Sequence, residues 1–148
     1  MGLRLGGIAV CVVVGAGVLV APASAKDACA LVTNAEASRI VGVSVRILPG
    51  ESIASCNLLR GNKQLGIITA YADTPARYKK FRSQAVNVTA VPQIHPTAFQ
   101  IVISNPRPPN YFGIFALAAG HRLMFLSYDK IVTQAKLRQL MRVALKRV

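Results

Sequence analysis

Two cysteines, Cys29 and Cys56, constrain this chain more than any other feature of its sequence. A third, Cys11, lies in an apolar run over residues 8–20 that is preceded by Arg4 and followed by Pro22 and Ala23-Ser24-Ala25. That order is a short charged region, an apolar region and an A-x-A cleavage signal, so residues 1–25 read as a signal peptide and the working protein begins at Lys26. The run is shorter than the roughly 20 apolar residues a spanning helix needs, which argues against a permanent anchor. Neither Ile8-Ala9-Val10-Cys11 nor Lys26-Asp27-Ala28-Cys29 looks like a lipid-attachment site. Cleavage leaves an even pair of cysteines in an oxidising compartment, and a bridge is their simplest fate. Closing a loop of 27 positions removes unfolded-state entropy equivalent to about 3.5 kcal/mol, large beside the roughly 5–15 kcal/mol of a typical domain. A redox or nucleophilic thiol would need a Cys-x-x-Cys spacing or a helix start, and Cys56 has neither. The expected location is periplasmic or secreted, with no transmembrane span after cleavage.

The remaining residues 26–148 suit one domain. Thr33 followed by Glu36 is a capping box, so a helix starts there and stops at Gly42. Alternation then predicts strands over 43–48, 53–59 and 64–71, with Pro49-Gly50 ending the first and Gly61-Asn62 turning between the last two. Thr74-Pro75 is an N-cap followed by proline at the first helical position, opening a helix to about Ala85. Pro92 and Pro96 bracket a segment expected to be extended, residues 98–104 form a strand, and Asn105-Pro106-Arg107-Pro108-Pro109-Asn110 is a loop. Residues 111–118 and 122–128 make a hairpin across Ala119-Gly120-His121. The last helix covers 132–147, with Leu137, Leu140, Met141, Ala144 and Val148 on one face. The order α-β-β-β-α-β-β-β-α places strands in consecutive runs, which predicts an α+β fold: an antiparallel sheet with helices packed on it and one disulfide.

Charge is the feature that bears most on function. The chain has 18 Lys and Arg against 5 Asp and Glu, a net charge of +13, and only Arg4 leaves with the leader. Such an excess favours polyanionic partners and speeds encounter with them. It concentrates in two helices: Arg77, Lys79, Lys80 and Arg82 in the middle one, and Lys136, Arg138, Arg142, Lys146 and Arg147 in the last. In the middle helix Tyr78, Phe81 and Ala85 share the inward face, which turns most cations to water; in the last, Arg138, Arg142 and Lys146 line one stripe. These nine are the candidate anion-binding residues, and the partner they fit is an anionic lipid surface or envelope polymer. The competing structural reading is that helices packed on a sheet ordinarily expose a solvated charged face. Nucleic acid is disfavoured, because export separates the protein from it and no stacking aromatic platform interleaves the cations.

Nothing points to an enzyme. Glu36 is engaged by the capping box, Asp129 sits near the last helix, and no carboxylate pair remains for acid–base work. His95 and His121 have no second ligand at metal spacing. Neither a Gly-x-Ser-x-Gly nucleophile elbow nor a phosphate-binding glycine loop is present. No catalytic residue, metal or cofactor is expected.

The run Asp27-Ala28-Cys29-Ala30-Leu31-Val32-Thr33-Asn34-Ala35-Glu36, with Gly42 and Ser55-Cys56-Asn57 after it, resembles the start of a family of small bacterial envelope proteins, many of them lipoproteins, whose function is unknown. Val91-Pro92-Gln93-Ile94-His95-Pro96-Thr97-Ala98-Phe99 is similar to that family's middle segment. Departures are the absent Gly-x-Gly turn, Leu58 where an aromatic residue is usual, and the missing lipid-attachment cysteine. The resemblance implies a disulfide-linked α+β domain in the cell envelope and carries no reaction. Two functions from different classes therefore stand: a non-enzymatic binder of anionic envelope surfaces, and an inhibitor or interaction module that presents the rigid loop 105–110 to a protein partner.

Overall fold

Among the described residues, three threonines start the three α-helices. In a computed structural model of the chain, which describes residues 25–103 and 111–148, Thr33, Thr74 and Thr133 each accept a hydrogen bond from the backbone N–H three residues on, at Glu36, Arg77 and Lys136. Each such cap satisfies an orphan amide and is worth about 1 kcal/mol. Helix α1 is Asn34–Val41, α2 is Pro75–Gln84 and α3 is Gln134–Leu145. The expected capping box of α1 is complete, since Glu36 also accepts from the Thr33 backbone at 2.9 Å. Gly42, in the left-handed region at φ 80°, ends α1, a conformation that costs glycine nothing. A short 3₁₀ turn, Ala28–Ala30, precedes α1 and is capped by Asp27. All but the last residue of the expected leader, and the segment 105–110 expected as a loop, lie outside the described residues.

Among the described residues seven strands form one antiparallel sheet: β1 Arg46–Pro49, β2 Ser55–Arg60, β3 Lys63–Ala72, β4 Val88–Ala90, β5 Phe99–Ile103, β6 Tyr111–Ala118 and β7 His121–Ser127. Their spatial order is β1-β2-β3-β7-β6-β5-β4. Two consecutive meanders are thus joined edge to edge by the β3–β7 pair, Gly66 opposite Ser127 through Ala72 opposite His121. The α+β class, the antiparallel sheet with helices on it and the bridge agree with the sequence expectation. The bridge links Cys29 in the 3₁₀ turn to Cys56 in β2 with Cα atoms 5.3 Å apart.

Two local expectations need correction. Strand β4 is absent from the sequence reading because three residues, of which only Val88 is even half-buried, give no periodicity to detect. The segment between Pro92 and Pro96 is turned, not extended. The Ile94 N–H bonds the Val91 carbonyl and the Ala98 N–H bonds the His95 carbonyl, so each proline occupies the second position of a β-turn, where its fixed φ is already correct.

Alternation along the strands divides the side chains between two faces. Cys56, Leu58, Ile68, Ala70, Ile114, Ala116, Leu123 and Phe125 pack in the large core with Leu137, Leu140 and Met141 of α3 and Ala37 and Val41 of α1. Phe99, Ile101, Phe115, Leu117, Met124 and Leu126 point the other way and pack with Tyr78, Phe81 and Ala85. Helices α1 and α3 therefore cover one face, and α2, crossing from β3 to the β4 edge, covers part of the other.

Candidate functional site

The middle helix is held to its face by aromatic rings and by two guanidinium groups. Tyr78 is buried, and its hydroxyl donates to the Thr97 carbonyl at 3.0 Å; burial raises the phenol's pKa well above its ordinary value. Thr97 is itself fixed across the turn, donating to the Leu117 carbonyl at 2.9 Å and accepting from its N–H at 2.8 Å. Phe81 packs on Phe115, with ring centroids 5.1 Å apart, and on Phe99 at 6.0 Å. The Arg122 guanidinium stacks 4.5 Å from the Phe81 centroid and pairs with the buried Asp73 carboxylate at 3.4 Å. Arg82 lies 5.5 Å over Phe99. Such cation–π contacts add about 0.5–1 kcal/mol where exposed and more where desolvated.

With that face engaged, Arg77, Lys79 and Lys80 are exposed, and none forms an ion pair among the described residues. The inward placement of Tyr78, Phe81 and Ala85 agrees with their helical spacing. Arg82 is the exception among the four cations, half-buried against Phe99.

On α3 the cations are used differently. Lys136 donates to the carbonyls of Val41, at 2.7 Å, and Ile131, at 2.9 Å, so a charge from α3 closes the C-terminal end of α1, where carbonyls lack helical partners. Arg138 donates twice to Gln100 Oε1, at 2.9 and 2.7 Å, and Gln100 in turn donates to Gln134 at 3.2 Å. Arg147 grips Glu36 with two bonds, at 2.8 and 2.7 Å, and donates to the Leu31 carbonyl at 2.8 Å. The Arg147 hydrogen bond, followed by the Thr33 backbone bond, holds the Glu36 carboxyl down at about 2. Among the described residues, Arg142 and Lys146 are the two of this group that are exposed without such a contact. The nine candidate residues thus do not form one surface: α2 and α3 sit on opposite faces of the sheet, and the α3 stripe is broken at Arg138.

Sequence reasoning missed an apolar groove of about 440 Å³ beside α2. Phe81, Gln84 and Ala85 form one wall, Val86 and Asn87 the rim, and Ile101, Phe115, Met124 and Leu126 of β5, β6 and β7 the floor. Its volume lies in the range of small-ligand sites. The one local signal is Gly113, a glycine inside a strongly apolar strand, which marks a close approach.

The acids and histidines are dispersed. Lys63 pairs with Asp129, and that contact, with the Ile131 N–H, lowers the Asp129 pKa. His95 Nδ1 lies 2.9 Å from Thr97 Oγ1, and His121 Nδ1 lies 2.9 Å from the Ala119 carbonyl. Among the described residues no three His, Cys, Asp or Glu gather as a metal site, and no helix is long and apolar enough to cross a membrane. No protein-family model, curated protein or solved structure matches the chain.

Proposed function

We propose that this is an exported, non-enzymatic binding protein of the bacterial cell envelope that contacts anionic surfaces or polymers through α2. The observation that carries the reading is the outward set Arg77, Lys79 and Lys80, which forms no ion pair among the described residues, on a helix whose opposite side is anchored by Tyr78 and Phe81. Three cations on a rigid helix gain from an anionic surface without first breaking an internal contact. The Cys29–Cys56 bridge supports an oxidising compartment, and the leader-like residues 1–25 and the resemblance to envelope proteins support export. Helix α3 contributes less on this reading, since Lys136, Arg138 and Arg147 already serve the fold.

Binding to phosphatidylglycerol and phosphatidylcholine vesicles at low and moderate salt tests the proposal. The expected result is binding to the anionic vesicles alone, weakening steeply as salt screens the contact. Equal binding to both, or binding indifferent to salt, overturns it.

A further inference from the structure

The groove beside α2 has a floor and a flank of opposite chemistry. Its floor is apolar, and Gly113 sets its depth. A Cβ built on Gly113 would come within 2.8 Å of Leu126 Cδ2, 3.0 Å of Phe115 Cε2 and 3.2 Å of Ile101 Cγ1. Those three side chains settle over the glycine, and any larger residue would lift them into the groove. At the rim Val86 leaves 75% of its surface in water, held out by Asn87, which turns the chain in the left-handed region at φ 54°, a conformation asparagine tolerates better than most residues. Val86 thus carries the apolar lining of the trough out to its rim.

Charge identifies the rest of the ligand. Among the described residues no carboxylate lines the groove: Asp73, Glu36 and Asp129 pair with Arg122, Arg147 and Lys63. Arg77, Lys80 and Gln84 recur at i, i+3 and i+7 along the same flank of α2, and Gln84 belongs to the groove wall. Residues at that spacing form one row on a helix, so the row runs from two exposed cations to the groove itself. A hydrocarbon in the trough with an anionic head on that row satisfies both parts.

We infer that the groove takes a single-chain anionic lipid, a fatty acid, as a monomer, with its chain over Gly113 and its carboxylate toward Lys80 and Arg77. The inference rests on the reading of α2 as the anion-contacting element, and it adds a saturable site to a surface contact. The test is titration of the disulfide-bonded protein with a fluorescent fatty acid below its micelle concentration, followed by competition. Palmitate should displace the probe at one molecule per protein, hexadecanol should compete about tenfold less well, and butyrate should not compete. Gly113→Val should weaken probe binding at least about tenfold by raising the floor. Val86→Glu, at an exposed position where folding is not at stake, should do the same by placing a carboxylate at the rim. Gly113→Val, which changes no charge, should bind anionic vesicles as the parent does. Vesicle binding without saturable fatty-acid binding, or undiminished probe binding by Val86→Glu, overturns the groove proposal while leaving the surface reading in place. Saturable fatty-acid binding without vesicle binding supports the groove and overturns the surface reading.

Discussion

The two faces of the sheet carry basic helices of similar composition, and they differ in where the charge ends. On the α1/α3 face Lys136, Arg138 and Arg147 reach into the structure, to the Val41 carbonyl, to Gln100 and to Glu36. On the α2 face Arg122 and Arg82 take the structural contacts with Phe81 and Phe99, and Arg77, Lys79 and Lys80 are left for solvent or a ligand. A cation counted in a sequence is therefore not yet a cation available for binding. Availability depends on what acceptors the fold brings within reach, and on this molecule the acceptors lie mostly under α3.

That contrast can be broken most forcefully at the bridge, which fastens the 3₁₀ turn beneath the α1/α3 side to β2. The double substitution Cys29→Ala, Cys56→Ala should lower the unfolding free energy by about 3 kcal/mol, as measured by denaturant melts. A loss under about 1 kcal/mol would mean that packing alone holds that face.

Next in size is Arg138→Ala. It should cost about 1–2 kcal/mol, because Gln100, nearly buried, loses a charged donor and its acceptor is stranded. Anionic vesicle binding should be unchanged. Weaker vesicle binding with no loss of stability would reassign Arg138 to the surface.

Acid offers a subtler comparison. The folded Glu36 carboxyl is held near 2, against an ordinary value of 4.5, and Asp129 is also lowered, chiefly by Lys63. A depressed carboxyl contributes stability that is fully present above its unfolded pKa and is lost as the pH falls through the folded one. The Arg147–Glu36 contribution should therefore fade between about pH 4.5 and pH 2, and Glu36→Gln should flatten that part of the stability profile. An unchanged profile would show that the pair adds nothing measurable, as many surface pairs do not.

The smallest effect on stability belongs to α2. Lys80→Ala should leave the melting midpoint within about 0.5 kcal/mol of the parent while reducing affinity for anionic vesicles. Destabilisation beyond that would place Lys80 among the structural cations after all.

Local features were the legible ones. The capping box at Thr33 and Glu36, the Thr74-Pro75 helix start, the hairpin around Gly120 and the Cys29–Cys56 pairing are all written within short stretches or by elimination among few residues. The fates of the cations were hidden because their partners are remote in sequence: Lys136 bonds Val41 across 95 positions and Arg147 bonds Glu36 across 111. The placement of α2 and α3 on opposite faces was hidden too, since it follows from the crossing of α2 from β3 to β4, and β4 itself is three residues long. The groove has walls from α2, β5, β6 and β7, and Gly113 reads as a floor only once Ile101, Phe115 and Leu126 are known to meet above it.

The most direct test compares the two helices by substitution in the otherwise intact protein. Arg77→Ala, Lys79→Ala, Lys80→Ala together, and Arg142→Ala, Lys146→Ala together, are measured for binding to phosphatidylglycerol vesicles across a salt series. The α2 variant should lose most of its binding, with a flattened salt dependence, while the α3 variant keeps most of both. Equal losses, or a larger loss from α3, would contradict the claim that α2 carries the contact.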